Sequence, residues 1–278
     1  MNEIRLIIDS SSNERSNQEN NLRVVPLTVT LSGVDYRDDD SLDLDKFLEE
    51  MASSKVAGRT TCPSIQEWLD ALEGAEKAII VTMTSGLSGT YSSALQAKDL
   101  YLEQHPTSQV IVVDSRSAGP ELSVVLEEIK QLVMEDKRFV DLDEEIAKLR
   151  TKTHLLFILQ SLHNLSLNGR ISPAVAKVAE MLHINVLGTA SMDGKFEQLS
   201  KARGMKKTLR DLLKQMDEFN YQGGRLIIDH CNNQADAEKV RDMILGKYPK
   251  AQITIRPMGA LCSFYAEEGG LMLGFIEG

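Results

Sequence analysis

Short apolar runs alternate with helical patterns along this chain, and that alternation limits the folds open to it. Residues 110–113 are apolar throughout, and residues 78–83 are interrupted only by Thr82. Strands with apolar side chains on both faces must be covered on both faces, as in a mostly parallel sheet held between helical layers. Runs at 4–8 and 22–31 supply the earlier strands, and Asp38-Asp39-Asp40 is an acidic turn ahead of a short helix from about Asp43. Ser64-Ile65-Gln66-Glu67 has the capping-box pattern that starts a helix after Pro63. Residues 92–103 and 121–134 read as helices, and Asp141-x-x-Glu144 reads as the cap of another.

The pattern changes near Lys152. Residues 155–159 form a strand pattern, and Ser172-Pro173 opens a helix to about Leu182. Met192-Asp193-Gly194-Lys195 lies between two strand-like runs, 184–190 and 196–199, which predicts a hairpin. A helix rich in Lys and Arg is expected over 204–219, a strand over 226–228 and a helix after Asn233. Strands at 253–255 and 271–276 complete the pattern. A hairpin combined with crossovers predicts a mixed sheet. The expectation is therefore two α/β domains. Residues 1–152 form a three-layer α/β/α domain with a mostly parallel sheet, and residues 153–278 form a second domain with a mixed sheet.

Charge and cysteine usage narrow the function. Lys and Arg total 31 against 41 Asp and Glu, a net charge of -10. That balance disfavours nucleic-acid binding, which depends on neutralising phosphates. Cys62, Cys231 and Cys262 are widely spaced with no CxxC pair, which fits free thiols in a reducing compartment. No apolar run approaches the ~20 residues of a membrane span, so no transmembrane segment is expected. A cytoplasmic location follows. The histidines lack metal-binding spacing, and no metal is expected.

The loop Thr84-Ser85-Gly86-Leu87-Ser88-Gly89-Thr90-Tyr91 joins an apolar strand to a helix, an arrangement that holds an anion. A P-loop needs a lysine after its last glycine, where Thr90 stands. A dinucleotide fingerprint needs three spaced glycines, and only Gly86 and Gly89 occur. A nucleophile elbow needs Gly-x-Ser-x-Gly, and here one glycine is misplaced. What remains is a hydroxyl-rich pocket without a fixed cation, suited to a carboxylate or a single phosphate. Thr60-Thr61-Cys62-Pro63-Ser64 is a second hydroxyl-rich loop, and Asn168-Gly169-Arg170 sets an arginine on an exposed turn. Three readings stay open on these residues. They are a carrier, an esterase or thioesterase with Ser88 as nucleophile and His230 as base, and a binding domain for a phosphorylated small molecule.

Taken together, several motifs resemble the DegV family. They are Asp9-Ser10, Val25-Pro26-Leu27, Thr60-x-x-Pro63-Ser64, Ser85-Gly86-Leu87-Ser88-Gly89-Thr90-Tyr91 and Asp114-Ser115. Gly169-Arg170-Ile171-Ser172, Asp193-Gly194-Lys195, Ala202-Arg203 and Gly269-Gly270-Leu271 continue the series over nearly the whole chain. The resemblance implies two α/β domains that enclose one long-chain fatty acid in a tunnel, with no cofactor. It also implies a binding subunit rather than an enzyme, similar to the fatty-acid-binding subunit of bacterial fatty acid kinase. Such a subunit presents the acyl carboxylate to a separate kinase of the dihydroxyacetone-kinase type.

Carried over by position, the resemblance makes Thr60 and Ser88 carboxylate ligands, with Gly86, Gly89 and Thr90 in support. Arg170 and Arg203 take partner-facing positions. Tyr265 stands where the family commonly has a third ligand, a histidine; a phenol donates a hydrogen bond but carries no positive charge. Glu267 and Glu268 follow it, and turned inward they would repel an anion. Burying roughly fifteen methylenes at about 0.8 kcal/mol each gives on the order of 12 kcal/mol before association costs. An ionised head without partners would be prohibitively expensive to bury, so hydroxyls have to meet it.

Overall fold

The computed structural model describes residues 4–17, 21–54, 56–135, 137–172, 174–175 and 184–278. Four strands, β1 (Arg5–Asp9), β2 (Leu22–Val25), β6 (Lys77–Thr82) and β7 (Gln109–Asp114), form a wholly parallel sheet in the order β2-β1-β6-β7. Ile7, Ile8, Ile79 and Ile80 are fully buried along its centre because both faces are covered. Helices α2 (Ile65–Leu72) and α3 (Thr90–Gln104) pack on one face with Trp68 between them, its indole N–H donating to Ser93 Oγ. Helices α4 (Pro120–Met134) and α5 (Phe139–Leu149) cover the other.

The run at 22–31 is not one strand. Pro26 has no N–H and restrains Val25, so the chain leaves the parallel sheet there. It re-enters structure as β3 (Thr28–Leu31), which pairs antiparallel with β4 (Val34–Arg37) and β5 (Arg59–Thr61). This small second sheet, crossed by α1 (Leu44–Ser53) in sequence, carries Thr60 opposite Val29. Two helix starts also differ from the sequence pattern. The third helix begins at Thr90, not Ser92, with Gly89 at its cap. The fifth begins at Phe139, and Asp141 lies inside its first turn paired with Arg138.

Beyond α5, six strands form a mixed sheet in the order β10-β9-β8-β13-β11-β12. They are β8 (Thr153–Leu159), β9 (Ile184–Ala190), β10 (Phe196–Arg203), β11 (Arg225–His230), β12 (Gln252–Pro257) and β13 (Leu271–Ile276). β11 and β12 are parallel; the other pairs are antiparallel, including the β9–β10 hairpin expected around Asp193-Gly194. Helices α6 (His163–Leu167), α7 (Met205–Glu218), α8 (Gln234–Lys247) and α9 (Ala260–Ala266) accompany this sheet. The sequence pattern predicted neither α6 nor α9. The helix expected over 172–182 lies largely outside the described residues, although the Val175 N–H donates to Ser172 Oγ as a cap requires.

The two large sheets share α4. Its residues Leu122, Val125, Leu126 and Ile129 join the core of the parallel sheet. Its other side lies on the mixed sheet, where a Cβ on Gly274 would stand 2.3 Å from the Glu121 nitrogen. Polar groups tie the same junction. Arg256 donates to Asp229 at 2.8 and 3.0 Å, to Glu14 at 2.5 Å, and to the Ser12 carbonyl and Ser123 Oγ at 3.1 Å each.

Candidate functional site

The parallel strands end in polar groups that position the loops above them. Asp9 accepts the N–H groups of Ser11 at 2.9 Å and Met83 at 2.6 Å, joining the ends of β1 and β6. Burial pushes its pKa up to about 6 against those hydrogen bonds. Asp38, from the acidic turn, accepts the first N–H groups of α9 from Ala260 and Leu261 at 3.0 and 3.1 Å. Its carboxyl is likewise raised by burial and restrained by those bonds. This contact fixes α9 against the small sheet, so the helix delivers Tyr265 to β5.

There the Tyr265 phenol and the Thr60 hydroxyl are 2.8 Å apart. Both border a cavity that Ser88 and Arg170 also line. It offers about 110 Å³ to the centre of a water-sized sphere, a measure on which one water needs about 10–15 Å³. Much of the wall is apolar: Leu155, Phe157 and Leu159 from β8, Met272 from β13, Phe196 from β10 and Leu261 from α9. Phe157 fits against Gly188, where a Cβ would meet its ring at 2.3 Å. The cavity therefore combines a mostly apolar wall with hydroxyl-bearing residues, Thr60, Ser88 and Tyr265 among them.

The glycine loop differs from a generic anion cradle. Five of its N–H groups are already committed, the Thr84 N–H to the Ser117 carbonyl at 2.8 Å. Ser85 donates to Asp114, Gly86 to Thr84 Oγ1, Leu87 to the Thr84 carbonyl, and Thr90 to Ser88 Oγ. Thr84, Leu87 and Ser88 of this loop line the cavity. Ser88 Oγ lies 2.8 Å from Thr90 Oγ1 and accepts the Thr90 N–H at 3.3 Å. Either hydroxyl of the Ser88–Thr90 pair can be the donor, so the pair holds two protons and spends one. Gly86 and Gly89 act from behind the loop. A Cβ on Gly86 would strike the Asp193 carbonyl at 2.6 Å, and one on Gly89 would touch Cys62 Sγ at 3.4 Å.

The arginines separate. Arg203 is exposed on β10. Arg170 is half-buried, not free on an exposed turn. Its guanidinium folds back to donate to the Asn168 carbonyl and borders the cavity. Glu267 and Glu268 turn away from the hydroxyl cluster. They line a separate cavity of about 460 Å³, where Glu267 accepts the Asn164 N–H at 3.0 Å and Glu268 the Asn232 side-chain N–H at 2.9 Å. No nucleophile–base pair forms at Ser88. Among the described residues no histidine lines its cavity, and His230 Nδ1 accepts the Asn233 N–H at 3.2 Å. The described residues contain no cluster able to hold a metal and no helix long and apolar enough to cross a membrane.

The DegV family model, described for uncharacterised proteins, matches residues 3–277. The chain belongs to the DegV family. A DegV domain-containing protein of Streptococcus pneumoniae is 39% identical over 90% of this chain and 89% of its own length. Two crystal structures are similar to this DegV chain throughout. One is a DegV family protein from Eubacterium eligens loaded with heptadecanoic acid, with 40% identity and a TM-score of 0.95 over 99% of this chain and 100% of that one. The other is the Streptococcus pneumoniae fatty acid kinase B3 protein loaded with linoleic acid, with 37% identity and a TM-score of 0.94 over 99% of each chain.

Proposed function

We propose that this protein binds one long-chain fatty acid and presents its carboxylate to a separate acyl kinase, without catalysing a reaction itself. The observation that carries this reading is a mostly apolar cavity that Thr60, Ser88 and Tyr265 also line. The fatty acids held by the two similar crystal structures support it. In this reading residues 1–152 supply Thr60 and Ser88, and residues 153–278 supply Tyr265 and most of the acyl-facing wall. A carboxylate only accepts hydrogen bonds, and the Thr60–Tyr265 bond leaves one of that pair's two protons to give, as the Ser88–Thr90 bond does of its own pair.

Tyr265 lacks the positive charge a histidine can carry. Arg170, on the same cavity, supplies one and offsets part of the cost of burying the ionised head. Arg203 stands clear of the cavity and is left to meet the kinase. The reading is tested by titrating the delipidated protein with a fluorescent fatty acid. Arg203→Glu should bind as the parent does and lose only kinase-dependent phosphorylation, whereas Thr60→Ala/Ser88→Ala should lose binding itself. Equal affinity in the parent and the double variant would remove these hydroxyls from the site.

A further inference from the structure

We infer that Gly188 governs how long an acyl chain the cavity takes, by leaving the Phe157 ring room to lie out of the chain's path. This rests on the fatty-acid reading above and deepens it. Glycine weakens the interior of a strand, and where it occurs there another group often comes close. Gly188 sits inside β9, directly opposite Phe157 of β8. Phe157 is paired on its other side with Met272 of β13, so the three residues make one row across the mixed sheet. Phe157 and Met272 both line the cavity.

The ring lies over Gly188. A Cβ there would stand 2.3 and 2.5 Å from two of the ring carbons, far inside contact distance. Met272 is also laid against a glycine: a Cβ on Gly119, the cap of α4, would stand 2.5 Å from its methyl carbon. Residues directly opposite on antiparallel strands have Cβ atoms about 4.5–5.5 Å apart, so a ring and a thioether standing upright together would fill the space above the row. The bare backbone at 188 and 119 lets both side chains lie aside instead. An alanine at 188 pushes the ring away from β9. The next place along the row is the Met272 side, over the cavity.

The test is displacement of a fluorescent fatty acid by straight-chain acids from decanoate to octadecanoate. Each added methylene that enters the cavity should tighten binding about four-fold. Gly188→Ala should follow the parent up to one chain length and then level off, ending about ten-fold or more weaker for octadecanoate. Adding Phe157→Ala should restore the rise, because the new methyl then has no ring to displace. A fault made at the Glu197 carbonyl, 2.6 Å from the same Cβ, would not be cured that way. Phe157→Trp over the native glycine brings the bulk from the other side of the contact. It should level off likewise, and it serves if Gly188→Ala does not fold. A loss equal at every length, no loss at all, or no recovery in the double variant overturns the inference. A parent that binds none of these acids overturns the fatty-acid reading and the inference with it.

Discussion

The Thr60 hydroxyl and the Tyr265 phenol form a 2.8 Å hydrogen bond between residues 205 positions apart. One comes from β5, the other from α9, and Asp38 at the start of α9 holds the two elements together. The bond lies between two residues that line the cavity and spends only one of the two protons. An arriving carboxylate can accept the other.

Tyr265→Phe keeps the ring and removes the proton. Hydrogen bonds to a charged group are worth about 1.5–3 kcal/mol, so affinity for a fatty acid should fall by roughly ten-fold or more. Tyr265→His restores a donor and should recover binding. Equilibrium displacement of a fluorescent fatty acid reads both. An unchanged constant for the phenylalanine variant would reduce Tyr265 to part of the wall.

Glu121 gives a pH dependence with a fixed sign. It is fully buried at the junction of α4 with the mixed sheet and accepts hydrogen bonds from Ser117 and Thr153. Burial pushes its pKa from 4.5 up to about 7 against those bonds. Between those values the folded chain keeps a proton that the unfolded chain has lost. This group's contribution to stability is therefore greatest below pH 4.5, falls as the pH rises to about 7, and is then constant. The full change is on the order of 3 kcal/mol. Asp9 acts in the same direction at lower pH, its pKa raised by burial from 3.8 to about 6. Urea midpoints across pH 5–8 should fall less steeply for Glu121→Gln than for the parent. Parallel curves would contradict this.

Arg256 tests the polar tie between the sheets. Replacing it with methionine leaves the Asp229 carboxyl wholly buried, with Asn13 as its remaining side-chain partner at 2.6 Å. Removing one member of a buried pair costs about 3–5 kcal/mol. Adding Asp229→Asn to Arg256→Met should recover much of that loss. Chemical denaturation of the two variants measures it, and a non-destabilised Arg256→Met would show the contact to be dispensable.

Much of the scaffold was legible because local chemistry and tertiary structure agree. The apolar runs at 78–83 and 110–113 became neighbouring parallel strands, and Ser64 with Glu67 forms a full capping box. Asp193-Gly194 turns the β9–β10 hairpin, with Gly194 at φ 68°. The misses arise where distant groups decide. Pro26 looked like part of one β-rich run, yet it divides that run between two sheets. The seven-residue α9 has no side-chain cap of its own and takes its anchor from Asp38, far away in sequence. Thr60 and Ser88 were visible as hydroxyl-rich loops. Arg170's place on the cavity was not, since it depends on how distant elements pack.

The most direct test of the account is mass spectrometry of an organic extract from the purified, denatured protein, paired with titration of the delipidated protein. The account predicts close to one long-chain fatty acid per chain, with saturable rebinding. Repeated preparations with no acyl chain, together with no uptake of added fatty acid, would contradict it.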